Sequence, residues 1–214
     1  AVIENPDEEL ASWKIRGTPT EIALLTAGIQ AGLRPANLLK AEPKIAELPF
    51  DNANKFMITL NKRKSGGYIL YEKGAAEVLI NKATNYYKFG RITRLNQEEK
   101  SKLKSVTEKL SDKGLRVIAI AIKEFDSNLL TIWPDGDWPK IDQDLTFIGF
   151  IALKDPLRPE AKETIDSCKR AGIRPIIITG DHALTARAIA REVGLNTERE
   201  NIITGEELDK LTEE

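Results

Sequence analysis

The amino-acid sequence predicts a mixed α and β protein in two parts, an α+β part with an antiparallel sheet and a shorter α/β part with a parallel sheet. Three observations support this fold class. Phe56, Ile58 and Leu60 recur at every second position, and a small-residue turn at 65–67 separates them from a second strand-like segment at 68–73, which indicates a hairpin. Helical segments with their own start and stop signals flank this hairpin. After residue 155 the order becomes helix, strand, helix, short strand, helix, which is typical of a parallel sheet.

Two capping boxes predict helices in the first part. Thr18 with Glu21, and Asn96 with Glu99, each place a glutamate three residues after a capping side chain. Glycines beyond the apolar stripes indicate where both helices end. The other elements expected here are a helix from Ala75 to about Lys82, strands at 115–123 and 145–153, and a loop at 125–144.

The composition is that of a globular protein. Of 214 residues, 41% are hydrophobic and 30% are charged, with a net charge of −1. The balanced charge gives no indication of a nucleic-acid surface. The one cysteine, Cys168, excludes an internal disulfide, and with His182 as the one histidine a His/Cys metal site is not expected.

The segment Lys154–Pro159 predicts a boundary. Two prolines around an aspartate and an arginine make a stiff connector, and Pro159 is well placed to start a helix. We therefore expect domains at 1–154 and 155–214 with a hinge at 154–159. Because about 60 residues are too few for a complete doubly wound domain, the second domain is expected to be truncated at Glu214.

A phosphate site is predicted where Ile176–Ile178 meets the following helix. The isoleucines suggest a strand buried on both faces, and Thr179, Gly180 and Asp181 follow it directly. At the carboxyl end of a strand in an open α/β sheet, a hydroxyl and helix-start N–H groups can bind a phosphoryl oxygen. The alternative is that Asp181 only caps the helix.

Three ordered segments carry a family resemblance. Lys73–Glu77, Asp155–Arg158 and Thr179–His182, the last followed by Thr185 and Ala186, resemble signature segments of the cation-transporting P-type ATPases, most closely the calcium-pump-related members. The resemblance implies an antiparallel nucleotide-binding domain at 1–154, inserted into a haloacid-dehalogenase-like phosphorylation domain of which 155–214 is a part. It also implies ATP as the ligand and Mg²⁺ in the parent protein. The implied partners are the other domains of the same polypeptide, at the cytoplasmic face of a membrane.

The resemblance assigns roles in the nucleotide-binding domain. Glu21 resembles the carboxylate that meets the adenine amino group, with its capping box as an equally weighted alternative. Phe50 resembles the aromatic residue on which adenine stacks, although a lone aromatic is more often part of a core. Lys55 and Lys73 resemble the lysines of the nucleotide pocket, and Gly74 would let the ligand approach the backbone.

Further roles fall on the remaining signature positions. Arg116 resembles the arginine that contacts the ribose or phosphates. Asp155 and Arg158 resemble hinge residues near the nucleotide, with a salt-bridged turn as the alternative. Thr179, Gly180 and Asp181 resemble part of the catalytic phosphoryl site.

The chain also departs from the family pattern. Ala76 stands where the family usually has proline, and Asn52, Ala53 and Asn54 stand where many relatives carry an arginine. The aspartate nucleophile segment and the later magnesium-binding segment do not occur in the sequence, so no metal ligands are assigned and the chain is expected to bind nucleotide without turnover. Two alternatives remain, a soluble phosphatase of the dehalogenase type and a non-catalytic interaction module.

Overall fold

The structure is a computed structural model of the chain. It describes residues 1–5, 8, 12–125, 137–154, 157–180, 183–198 and 201–208, so the predicted site residues Asp155 and Asp181 lie outside the described residues. Contacts divide the chain into two compact units, one made of residues 1–94 and 119–149 and the other of residues 95–118 and 150–214. The domain boundary near residue 155 stays a prediction.

Helices and strands alternate irregularly along the described chain. In order they are β1 Val2–Ile3, β2 Ile15–Arg16, α1 Pro19–Gln30, α2 Pro35–Ala41, β3 Lys44–Asp51, β4 Phe56–Lys62, β5 Tyr68–Ala75, α3 Ala76–Lys82, β6 Ala83–Lys88, β7 Arg91–Arg94, α4 Gln97–Ser111, β8 Arg116–Phe125, α5 Trp138–Ile141, β9 Leu145–Leu153, α6 Ala161–Arg170, α7 Ala183–Glu192 and α8 Gly205–Leu208.

The main sheet of the described residues has seven strands in the order β3-β4-β5-β8-β9-β6-β7. The β3–β4, β4–β5 and β6–β7 pairs are antiparallel, as the sequence predicts for the hairpin. The sheet is nevertheless mixed, because β6 pairs with β9 in parallel. The expectation of an antiparallel sheet is therefore wrong at this pair. A parallel pair requires a long connection, and β6 and β9 are separated by much of the chain.

One side of the core of the first unit is formed by alternate residues of β4 and β5. Ile58 and Leu60 are 0% and 1% exposed, and Leu70, the partner of Leu60, is 0% exposed. This burial agrees with the period-2 pattern, since alternate side chains of a strand point to the same face. Helix α3 adds Leu79 and Ile80, both 0% exposed, to this core.

Both capping boxes are confirmed. In α1 the Thr18 hydroxyl accepts from Glu21 N, and the Glu21 carboxylate accepts from Thr18 N. In α4 the Asn96 side chain accepts from Glu99 N at 2.9 Å, with the reciprocal bond from Asn96 N to Glu99 Oε2 at 3.5 Å. Each box satisfies two donors that a helix start otherwise leaves unpaired.

In the second unit, α7 packs against the end of α4. Thr185 is buried and donates to Leu115 O at 3.4 Å, while Arg187 forms an ion pair with Asp112 at 2.6 Å. Gly194, at φ 86°, ends the helix region, and Leu195 N donates to Ala190 O at 2.8 Å. The helix and its glycine stop therefore follow the prediction.

The strand predicted at Ile176–Ile178 is wrong. Residues 173–179 form no strand, and the side chains of Ile176, Ile177 and Ile178 are 78%, 41% and 95% exposed. The short strand expected before the last helix is also absent from residues 202–204. A parallel strand is stabilised by hydrogen bonds to neighbouring strands, and among the described residues no strand lies beside this segment.

Candidate functional site

The turn between β3 and β4 forms one end of the sheet and fixes Lys55. The Asp51 side chain accepts from Asn54 N at 2.9 Å, and Asp51 O accepts from Lys55 N at 2.7 Å. Lys55 has φ 62°, a conformation that few side-chain-bearing residues adopt. Its carbonyl accepts from Ala75 N at 2.9 Å, so the turn is bonded to the end of β5.

Gly74 is required by the chain's own backbone at this end of the sheet. A Cβ atom there would lie 2.4 Å from Lys55 O and 2.6 and 2.7 Å from Phe56 Cβ and Cα. No real side chain tolerates these distances. The close approach of β4 to β5 thus gives a structural reason for the glycine, in addition to the ligand approach that the resemblance implies.

The strand register puts Phe50 and Lys73 on one face of the sheet. Leu48 pairs with Ile58 and Asp51 pairs with Phe56, so the intervening Pro49 and Phe50 together oppose Met57. Met57 in turn pairs with Lys73 on β5. Two strand spacings place Phe50 and Lys73 roughly 10 Å apart.

This face carries an exposed ring and a lysine, and a second lysine lies in the turn between β3 and β4. Phe50 is 57% exposed, which is unusual for an aromatic side chain, and Lys73 is half-buried. Lys55 Nζ lies 3.9 Å from Glu77 Oε1, and both side chains are more than half exposed. Such a surface pair contributes at most about 1 kcal/mol, so a stronger anion can displace the glutamate from Lys55.

The carboxylate of Glu21 is engaged at the start of its own helix. It accepts from the Thr18 backbone and hydroxyl at 3.2 and 3.1 Å and lies 3.4 Å from the amino group of Ala1. The hydrogen bond from the Thr18 backbone, followed by that from its hydroxyl, lowers the pKa of Glu21 below its ordinary value. Its capping role is therefore observed, and its adenine contact stays a prediction.

The other predicted site residues belong to the second unit. Arg116 begins β8 and is exposed, and Arg158 is exposed with its carbonyl accepting from Ala161 N at 3.0 Å. Thr179 and Gly180 are exposed and precede α7 outside any strand. The described residues contain no group of three or more acidic, histidine or cysteine side chains that could hold a metal.

Sequence reasoning missed a buried charged cluster behind the Phe50–Lys73 face. Glu72 is 0% exposed and pairs with Lys82, which also pairs with Asp142. A signal was present in the sequence, because Glu72 has the same parity as Leu70 and Gly74 and so belongs on the core side of β5. The Lys82 ammonium also lies 3.3 Å from the centre of the Phe56 ring.

Comparison with known proteins identifies the family of the chain. The family model described as P-type ATPase, cytoplasmic domain N, matches residues 1–160, which include the whole β3–β4–β5 face. The chain belongs to this P-type ATPase family.

The sequence matches to named P-type ATPases cover nearly the entire chain. The chain is 37% identical to calcium-transporting ATPase 1 of Bacillus cereus over 92% of its length, and 37% identical to calcium-transporting ATPase 1 of Lactococcus lactis over 94%. It is 35% identical over 94% of its length to calcium-transporting ATPase 7, plasma membrane-type, of Oryza sativa. The chain spans about a fifth of the length of these relatives, namely 21%, 22% and 20%.

Among the residues that the structure describes, no helix is both long enough and apolar enough to cross a bilayer.

Proposed function

We propose that the first part of the chain binds ATP for a cation-transporting P-type ATPase. The observation that carries the proposal is the shared face of Phe50, Met57 and Lys73, with an exposed ring at one side and a lysine about two strand spacings away. Adenine stacks on the ring of Phe50, and Lys73 and Lys55 approach the phosphates. The match of residues 1–160 to the family supports this assignment.

The remaining nucleotide contacts follow the signature positions. Glu21 accepts from the adenine amino group through whichever carboxylate lone pairs its capping box leaves open. Arg116 contacts the ribose or phosphates, and Asp155 and Arg158 act at the hinge. Residues 155–214 are proposed as part of a haloacid-dehalogenase-like phosphorylation domain.

The parent protein is proposed to hydrolyse ATP through an aspartyl-phosphate and to couple this to cation transport at a membrane. Thr179, Gly180 and Asp181 supply part of its phosphoryl site. The nucleophile and the carboxylate that holds Mg²⁺ belong to segments that do not occur in this sequence. Other parts of the polypeptide therefore supply the nucleophile and the Mg²⁺ ligand. By itself, this chain binds the nucleotide without turning it over.

Titration of the chain with ATP tests the binding proposal. Phe50→Ala should weaken binding by about 1–3 kcal/mol through lost stacking. The amide signals of residues 50–56 and 73–75 should shift with millimolar ATP in the unmodified chain, and the same shifts should need more ATP in the variant.

A second exposed aromatic residue provides the matched control. Phe89 is 94% exposed in the turn between β6 and β7, and β7 is the edge strand opposite β3 in the sheet. Phe89→Ala should therefore bind ATP like the unmodified chain. Equal affinity in Phe50→Ala and Phe89→Ala would reject the stacking role. Amide signals that stay unmoved at millimolar ATP would instead favour the non-catalytic interaction module.

A further inference from the structure

The buried cluster behind β5 contains more negative than positive charge. Glu72 is 0% exposed and Asp142 is 8% exposed, and the single ammonium between them belongs to Lys82. Lys82 Nζ lies 2.9 Å from Glu72 Oε1 and 2.5 Å from Asp142 Oδ2. If both acids were ionised, two carboxylates would share one cation away from water.

When both acids are ionised, the hydrogen bonds of the cluster are also incomplete. Glu72 Oε2 and Asp142 Oδ1 are buried, and neither has a donor among the residues that the structure describes. An unpaired buried carboxylate oxygen is costly because desolvation is not offset by a hydrogen bond. One additional proton would remove the excess charge and convert one acceptor oxygen into a donor.

We propose that Glu72 and Asp142 form a buried proton-binding site. Glu72 is protonated and donates a hydrogen bond to Asp142, while Lys82 balances the remaining negative charge. The charged groups that face Glu72 within the described part of the chain are Lys82 from α3 and Asp142 directly after α5. Glu72 is the proton carrier because it is the more deeply buried of the two acids. This site does not depend on the nucleotide assignment.

Electrostatics agrees with the geometry. Burial, followed by hydrogen bonding with Asp142, raises the pKa of Glu72 from 4.5 to about 8, against the opposing effect of Lys82. The folded protein therefore holds a proton that the unfolded chain releases between these pH values. The free energy of unfolding consequently falls as pH rises from about 4.5 towards about 8, and this contribution levels off at higher pH.

Carboxyl carbon NMR of the full chain tests the site directly. The side-chain carboxyl signal of Glu72 should stay in its protonated position at pH 6 and titrate near 8. In Asp142→Asn the titration midpoint of Glu72 should move to lower pH, because the hydrogen bond and the charge that raise it are removed. A midpoint near 4.5 in the unmodified chain would overturn the proposal.

Unfolding at several pH values provides an independent readout. Between pH 5 and 7.5 the Glu72 proton should change the unfolding equilibrium by about tenfold per pH unit, and Glu72→Gln should lose this contribution while keeping a donor towards Asp142. Glu124→Gln is the control, since Glu124 is also paired with a base, Arg63, but is 53% exposed. An unchanged pH dependence of the unfolding equilibrium in Glu72→Gln would contradict the site. If that variant does not fold, the carboxyl titration of the unmodified chain still tests the proposal.

Discussion

Phe50 and Lys73 lie on different strands, and a β-bulge in β3 brings them to the same face. Without the extra residue between Leu48 and Asp51, Phe50 would point towards the core side together with Ile58. The exposed ring therefore results from a register shift and not from local sequence hydrophobicity. The sequence identified Phe50 and Lys73 only through family resemblance, since alternation alone does not reveal a bulge.

Lys73→Ala tests the phosphate role at this scale. A lysine that contacts phosphate contributes a charge-assisted hydrogen bond, so its loss should weaken ATP binding by about 1.5–3 kcal/mol and leave adenosine binding nearly unchanged. Calorimetric titration with both ligands measures the difference. Lys64→Ala at the far, exposed end of the same hairpin is the control, and an equal loss for ATP and adenosine in Lys73→Ala would contradict the role.

The elements that the sequence predicted best are those with local signals at both ends. Helices α1 and α4 begin at their capping boxes, and the glycine after α4, Gly114, has φ 74°. Strands β3, β6 and β7 were not predicted, because β3 contains Pro49 and a bulge and the β6–β7 hairpin is largely polar. A strand depends on its partners, whereas a capped helix satisfies its own backbone.

Asn96→Ala tests the cap of α4. The side chain of Asn96 is the acceptor for Glu99 N, so its removal should lower the free energy of unfolding by about 1 kcal/mol. Urea denaturation followed by circular dichroism measures this change. Asn96→Asp keeps an acceptor at the same place and should retain most of the stability, and a similar loss in both variants would show that the cap is not the cause.

At the scale of the whole molecule, residues 95–118 form one compact unit with residues 150–214, which are distant from them in the sequence. Helix α7 supplies the reason, since Thr185 and Arg187 bond the region that follows α4. Local sequence patterns cannot predict this association, because the contacts join residues that are 70 and 75 positions apart.

If this chain binds ATP and other segments supply the nucleophile, the chain by itself should not turn over ATP. With Mg²⁺ and millimolar ATP, phosphate release should equal that of buffer, because the aspartate nucleophile segment does not occur in the sequence. A colorimetric phosphate assay measures this, with a full-length calcium-transporting relative as the positive control. Turnover of a phosphomonoester that one aspartate substitution abolishes would favour the phosphatase alternative.

The sequence by itself determined the capped helices, the β4–β5 hairpin and the family, because these depend on short-range patterns and on ordered motifs. The tertiary structure decided the mixed sheet, the shared face of Phe50 and Lys73, and the burial of Glu72 beside Lys82 and Asp142. It also showed Ile176–Ile178 exposed instead of buried in a strand. Strand pairing and burial depend on which distant residues lie alongside a segment, and no local pattern specifies those neighbours.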